Sequence, residues 1–156
     1  MSCLFLATDC KNGDDFPPCE LPPDVFNTGF TFKLVSTNGQ TLIGVSGTLY
    51  ESEDVKITDS DGNSLANVEV RGDGTIGLIV PSNSDETGKT IEKDFYLVLP
   101  PTGVNPEEDI DTISTTYQLT LTECNFIWYD FFEASYNDSL YHSGDFPASK
   151  IKFIKQ

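Results

Sequence analysis

The sequence predicts an all-β protein, a single antiparallel β-sandwich of about eight strands. Short segments alternate apolar and polar residues, as strands with one buried face do. Turn-forming Gly, Pro, Asn and Asp residues separate these segments at short intervals. No segment spaces its apolar residues as an amphipathic helix would. We assign residues 29–156 to the sandwich domain and residues 1–28 to a separate N-terminal tail.

Composition limits the classes of partner. The 156 residues suffice for one domain with a real core, and 25 Asp+Glu against 9 Lys+Arg give a net charge of -16. Such a charge repels phosphate backbones and anionic membrane surfaces, so no nucleic acid is expected as a partner. The chain lacks the run of about 20 apolar residues that a transmembrane helix needs. Membrane contact is therefore expected only through a lipid anchor.

The tail resembles the start of a bacterial lipoprotein. Residues 3–7 read as the remnant of an apolar signal peptide, and Cys10 is followed by Lys-Asn-Gly-Asp-Asp. This arrangement is similar to a lipoprotein signal with the acidic export tag of Bacteroidetes surface lipoproteins, although Asp9 departs from the small residue of that pattern. The resemblance implies that Cys10 is lipidated; the alternative is an ordinary thiol or a disulfide partner. Four prolines within residues 16–24 predict an extended, semi-rigid tether.

The four cysteines are not spaced for zinc, and no metal or other cofactor is expected. If Cys3 is removed with the signal and Cys10 is acylated, Cys19 and Cys124 remain for one disulfide in an oxidising compartment. Cys10 with Cys19 is the alternative pairing. The sequence does not choose between the two.

The first half of the domain reads as two hairpins. Residues 30–35 alternate, and Asn38-Gly39 predicts a type I′ turn to a return strand at 41–45. A second hairpin is predicted between residues 54–58 and 65–70. Its connector, residues 59–64, spaces acidic residues like a calcium loop but lacks the required Gly and Glu, which favours a plain turn.

The segment VKITDSDGNSLANVEVRGDGTIG resembles carboxypeptidase-regulatory-like domains, in which a D-x-x-G turn and a V-x-V strand recur. The resemblance covers about two dozen residues. It implies a β-sandwich and no particular activity.

Residues 111–142 predict the central ribbon of the sandwich. Tyr117, Leu119 and Leu121 share one face. Without a bulge, the next strand places Phe126, Trp128, Phe132 and Tyr136 on one face and Ile127, Tyr129 and Phe131 on the other. Asn137-Asp138 then closes a hairpin onto 139–142. An aromatic strand of this kind either packs inside the sandwich or offers rings that stack on sugars. The candidate ligand-binding residues are Trp128, Tyr129 and Tyr136, in a sandwich that is immunoglobulin-like in general architecture.

Taken whole, the chain resembles a family of small putative lipoproteins of Bacteroidetes. The resemblance rests on the lipid-type cysteine, the early strand-NG-strand hairpin, Cys124, the Tyr136–Leu140 turn and the final Ile-Lys-Phe-Ile-Lys strand. The family has no assigned activity. Asp111-Thr112-Ile113 and Asp138-Ser139-Leu140 also resemble the D-S/T-apolar sites at which these bacteria attach O-glycans, which implies glycans on Thr112 and Ser139.

These observations predict a non-catalytic lipoprotein of the bacterial outer membrane, periplasmic or surface-exposed. Its expected role is a binding or adhesion module with a glycan or an envelope protein as ligand. The alternative is a structural accessory subunit that docks on an outer-membrane complex. An enzyme is not expected, because neither a carboxylate pair nor the single histidine, His142, lies in a catalytic motif.

Overall fold

The computed structural model describes residues 29–66, 68–80, 83–121, 127–144 and 150–156, excluding the side chain of Trp128. These residues form eleven strands and one short 3-10 helix, Ser84–Glu86. The predicted all-β antiparallel sandwich is confirmed, with more strands than expected because several are only two or three residues long. In chain order the strands are β1 Gly29–Ser36, β2 Ile43–Gly44, β3 Tyr50–Glu51, β4 Lys56–Thr58, β5 Val68–Val70, β6 Thr75–Ile79, β7 Thr90–Leu99, β8 Asp109–Leu121, β9 Ile127–Tyr136, β10 Ser139–Gly144 and β11 Ile151–Lys155.

Two sheets make the layers of the sandwich. One has four strands in the order β11-β1-β6-β5, and the other has five in the order β10-β9-β8-β7-β4. All neighbours in these two sheets are antiparallel except β1 and β11, which run parallel. The predicted ribbon, residues 111–142, supplies the consecutive strands β8, β9 and β10. It therefore forms the middle and one edge of the larger sheet.

Aromatic rings join the two sheets. Phe30 of β1 packs on Phe132 of β9 with ring centroids 5.0 Å apart. Tyr136 of β9 stacks on Phe153 of β11 at 5.1 Å and nearly parallel planes. Burying a Phe-sized side chain contributes about 1.5–3 kcal/mol from area alone, so these pairs are a main source of the attraction between the layers.

Both predicted tight turns are present, but the turn at Asn38-Gly39 has a different geometry from the predicted one. At Asn38-Gly39 only Gly39 has a positive φ, of 84°, and Ser36 N–H donates to Gln40 O, so this turn is wider than type I′. The turn with two left-handed residues is instead Asn137-Asp138, with φ of 45° and 64°. It joins β9 to β10, as the sequence predicted for this hairpin.

The predicted hairpin between residues 54–58 and 65–70 was wrong. Thr58 forms an isolated bridge with Ser64, after which the chain crosses to the other sheet. There β5 pairs with β6, whereas β4 pairs with β7. The side chain of Asp59 accepts hydrogen bonds from the backbone N–H groups of Asp61 and Asn63, a local turn that ends β4 before a ladder can extend.

A bulge in β9 changes which of its side chains face the core. Gln118 pairs with Phe131 and Leu119 pairs with Tyr129, so Asp130 is left without an opposite residue. The extra residue moves Tyr129 onto the buried face that also carries Phe132. The predicted face assignment assumed no bulge and was wrong for this tyrosine.

Candidate binding site

A network of polar groups lies where the β9–β10 turn meets β8. Asp111 is 4% exposed and accepts three hydrogen bonds. The donors are Tyr136 Oη at 2.6 Å, Asn137 Nδ2 at 2.8 Å and Lys155 Nζ at 2.5 Å. Asn137 also exchanges two hydrogen bonds of 2.9 Å with the backbone of Thr112. The turn is therefore fixed to β8 at both Asp111 and Thr112.

Lys155 joins the two sheets through this network. Its ammonium group lies 2.9 Å from Asp109 Oδ2 and 2.5 Å from Asp111 Oδ2. Lys155 belongs to β11 of the four-stranded sheet, and both aspartates belong to β8 of the five-stranded sheet. We call Asp109, Asp111, Tyr136, Asn137 and Lys155 the cross-sheet clamp. Its ion pair is largely shielded from water, since the side chain of Lys155 is only 13% exposed.

Two members of the clamp, Tyr136 and Lys155, have raised pKa values. Burial raises the pKa of Tyr136, and its hydrogen bond to Asp111 raises that pKa further. Burial alone would lower the pKa of Lys155, but hydrogen bonds to Asp111 and Asp109 outweigh it and the pKa is raised. Tyr136 is thus a neutral donor and Lys155 a cation. These two residues therefore present oriented hydrogen-bond donors to the carboxylates of Asp109 and Asp111.

A polar cavity of about 200 Å³ opens beside the clamp. It is smaller than the roughly 300–1,000 Å³ of a drug-sized pocket, so it suits one ring-sized group. Both strands of the hairpin, β9 and β10, contribute to its wall, as does the end of β11. The lining residues are Asp111, Tyr136, Asn137, Ser139, Tyr141, Ile154, Lys155 and Gln156.

Burial contradicts the sugar-stacking prediction for two of the three aromatic candidates. Tyr129 is 6% exposed and donates its hydroxyl to Val80 O at 2.8 Å. Tyr136 is 2% exposed, and its ring is stacked on Phe153. Neither ring face is free for a sugar, because the bulge and the alternation of β9 turn both side chains into the core. Tyr136 reaches the cavity only as part of its wall. The side chain of Trp128 lies outside the described residues.

The two predicted glycosylation positions differ in access. Ser139 is exposed at the start of β10 and lines the cavity. Thr112 is half-buried within β8, paired with Tyr96 and bonded to Asn137. Glycosylation of both stays a prediction. Lipidation of Cys10 and the Cys19–Cys124 disulfide concern positions outside the described residues and also stay predictions.

His142, the single histidine, lies on β10 beside the aromatic side chains of β9. It is half-buried, with its ring 5.9 Å from that of Phe132. Its Nε2 atom is buried and has no hydrogen-bond partner among the described residues. Within the same residues, no three His, Cys, Asp or Glu side chains are grouped as metal ligands. This histidine therefore behaves as part of the aromatic packing at the hairpin.

In the sequence, the key members of the clamp stand out only as parts of other features. Asp111 was interpreted as part of a glycosylation motif and Lys155 as an ordinary residue of the last strand. A signal was present, because extending the alternation of β8 back from Tyr117 places Asp111 on the buried face. The alternation of Ile151, Phe153 and Lys155 points the lysine the same way. A buried carboxylate and a buried ammonium each require a partner.

Fold and site together define a class: an all-β sandwich with a small polar cavity set at the end of its central hairpin. No protein family, curated protein or solved structure matches the chain in comparisons with known proteins. Across the described ranges, no helix has the length and apolar character needed to cross a membrane.

Proposed function

We propose that the protein is a non-catalytic binding module of the bacterial cell envelope and that its ligand is a glycan. The observation that carries this proposal is the polar cavity beside the clamp, whose walls are held in place before any ligand arrives. Asp111 is fixed by hydrogen bonds from Tyr136, Asn137 and Lys155, and Asn137 is fixed by a further bond from the backbone of Thr112. A pre-organised site of this kind loses little conformational freedom when it binds.

The hydrogen-bonding groups around the cavity suit the hydroxyl groups of a sugar. Among the described residues, Asp111 Oδ1 accepts only from Asn137, so this carboxylate oxygen retains acceptor capacity. Ser139 and Gln156 add a hydroxyl and an amide that line the same space. Tyr141 contributes an aromatic wall that packs edge-on against Phe153. A mixture of acceptors, donors and one apolar wall is the usual chemistry of a small polar ligand site.

The same geometry argues against glycosidase chemistry. Such enzymes use one carboxylic acid as a proton donor and a second carboxylate as nucleophile or base. Here Asp109 and Asp111 both hold the ammonium group of Lys155, at 2.9 and 2.5 Å. Both carboxylates therefore serve as acceptors for one ammonium group of the chain itself, an arrangement that holds the two sheets together.

Envelope attachment is the second part of the proposal. Cys10 with its acidic neighbours supplies the lipid anchor, the proline-rich tether separates the sandwich from the membrane, and the location is the outer membrane. Metabolic labelling with a clickable palmitate analogue in a Bacteroidetes host tests this part. We expect labelled protein when the wild-type precursor is expressed and no label for Cys10→Ala. Equal labelling of both, or of neither, would contradict the anchor.

Glycan binding is tested with the full chain on a glycan array, followed by titration calorimetry of any hit. Ser139→Trp should fill the mouth of the cavity and abolish binding, because Ser139 is exposed and lines that space. Leu140→Trp is the matched control, since Leu140 is the next residue of β10 and does not line the cavity. Binding that survives Ser139→Trp, or is lost equally in both variants, would refute the site.

A docking role in a larger envelope complex is the second candidate function. Leu140 and Ile154 are 60% and 41% exposed on the edge strands β10 and β11, which are linked by Tyr141 Oη and the backbone of Ile154. Photo-crosslinking from position 140 should then capture one defined outer-membrane protein. The same crosslinker at Val104, which is 92% exposed, is the control for random contact. Identical products from both positions would argue against docking.

A further inference from the structure

We infer that the outer face of the four-stranded sheet carries a second site, which binds a phosphate group. The site is a cavity of about 480 Å³ over β1, bordered by β11 and by the turn between β5 and β6. It shares no lining residue with the cavity beside the clamp. The inference goes beyond the proposed glycan site and does not depend on it.

Positive charge is concentrated here in an otherwise acidic protein. Three of the nine Lys and Arg residues line this cavity, namely Lys33, Lys150 and Lys152, and Asp73 is the only acidic residue among its lining. Three lysines less one aspartate leave a local charge of +2 on a chain of net charge -16. Since the remaining surface repels anions, an anion that does bind is directed to this face.

The lysines are brought together by strand pairing. Lys33 lies directly opposite Lys152 in the parallel pair of β1 and β11, so the two side chains share a face. Opposite residues of like charge destabilise a sheet unless a counter-charge is present. Lys33 has one, since its ammonium group lies 3.1 Å from Asp73 Oδ2. Neither Lys150 nor Lys152 forms an ion pair with any described residue.

The backbone at Lys150 is held in a conformation that non-glycine residues seldom adopt. Its φ is +63°, and its N–H donates to Thr31 Oγ1 at 3.1 Å. A left-handed residue that surrounding contacts hold in place is common at ligand sites. Here it turns the chain at the rim of the cavity, immediately before β11, the strand that carries Lys152. The strained residue is itself one of the two lysines that have no ion-pair partner among the described residues.

Phosphate is the anion that this donor set favours. Lysine binds phosphate as a point charge, whereas planar carboxylates are better matched by the fork of arginine. Among the lining residues, Thr41 adds a hydroxyl group that can donate to another oxygen of a tetrahedral ion. Free phosphate and the phosphate of a lipid headgroup offer the same chemistry. The test must therefore separate these two sources.

The test uses the full chain carrying Cys10→Ser, so that no lipid anchor contributes. Calorimetric titration with inorganic phosphate probes the soluble source. Co-sedimentation with phosphatidylcholine vesicles, with and without phosphatidic acid, probes the headgroup. Lys150→Gln combined with Lys152→Gln should weaken binding about a hundredfold, at about tenfold for each lost charged contact. Both lysines are exposed, so circular dichroism should show an unchanged fold.

The matched control is Lys89→Gln with Lys93→Gln, which makes the same change in net charge away from the cavity. The site is supported if either probe binds saturably to the control variant but not to the cavity variant. The probe that binds then shows whether the phosphate comes from solution or from a lipid headgroup. The inference is overturned if neither probe binds at millimolar concentration. It is equally overturned if both double variants weaken binding to the same extent. Ser139→Trp should leave phosphate binding unchanged, which separates this result from failure of the glycan site.

Discussion

Replacing Asp111 by Asn should destabilise the protein by about 3–4 kcal/mol. The substitution keeps the shape of the side chain and removes its charge. Hydrogen bonds to a charged group contribute about 1.5–3 kcal/mol and neutral ones about 0.5–1.5. The bonds from Tyr136 and Asn137, at 2.6 and 2.8 Å, should thus lose about 1 kcal/mol each. Lys155 also loses its 2.5 Å partner and keeps only Asp109, which adds about 1–2 kcal/mol.

The assay is urea unfolding of the full chain at neutral pH, followed by fluorescence and circular dichroism. In a separate thermal unfolding experiment, a loss of 3–4 kcal/mol should lower the midpoint temperature by about 10 °C for a chain of this size. Asp109→Asn is the control, because the side chain of Asp109 is 33% exposed and such pairs contribute at most about 1 kcal/mol. The reasoning is refuted if Asp111→Asn costs less than about 1 kcal/mol, or no more than the control.

Three further predictions concern local charges and turns. Asp73 should titrate in the folded protein with a pKa of about 2, because it accepts hydrogen bonds from the backbone N–H of Thr75 and, with a smaller effect, from Lys33. In an NMR titration, Lys33→Met should raise this pKa part of the way to 3.8. An unchanged pKa would contradict the pairing of Lys33 with Asp73. The pKa values of Tyr136 and Lys155 are raised in the folded protein, so both groups contribute stability that is fully present below their ordinary pKa values of 10.0 and 10.5. This stability is lost as the pH rises above those values. The urea midpoint should therefore fall at high pH, and it should fall less in Lys155→Met. Asp138→Gly should stabilise the protein by about 0.5–1 kcal/mol in urea unfolding, because Asp138 has φ of 64° in the Asn137-Asp138 turn, whereas Asp138→Val should destabilise it.

The fold class followed from the sequence because alternation and turn residues are local signals. The central ribbon was predicted for the same reason, since β8, β9 and β10 are consecutive and joined by short connections. The Asn137-Asp138 turn was correctly placed between β9 and β10. The bulge at Asp130 was not predicted, because one unpaired residue leaves composition and alternation almost unchanged while it reverses the faces beyond it.

Long-range pairing was the part that the sequence did not determine. The parallel contact of β1 with β11 joins residues more than a hundred positions apart, and no local pattern specifies it. That one contact brings Lys152 beside Lys33 and places Lys155 near Asp111. Net charge therefore predicted a surface that uniformly repels anions and missed the local concentration of lysines. Both cavities depend on this final strand.

The aromatic candidates illustrate the same limit at the level of single side chains. Tyr129 and Tyr136 were identified from their spacing in an aromatic strand, yet both are buried in the sandwich. The residues that line the polar cavity come from β8, the β9–β10 hairpin and β11, and most carry no motif. The sequence signal for this site was that Asp111 and Lys155 lie on strand faces that are otherwise apolar.

The central claim is that a glycan binds in the cavity beside the clamp. The most direct measurement is a two-dimensional amide NMR titration of the isotope-labelled full chain with the glycan that the array selects. The account predicts saturable shifts confined to residues 111, 136–141 and 154–156, with none in Ser139→Trp. Shifts centred elsewhere in the chain, or no saturable shift at all, would contradict it.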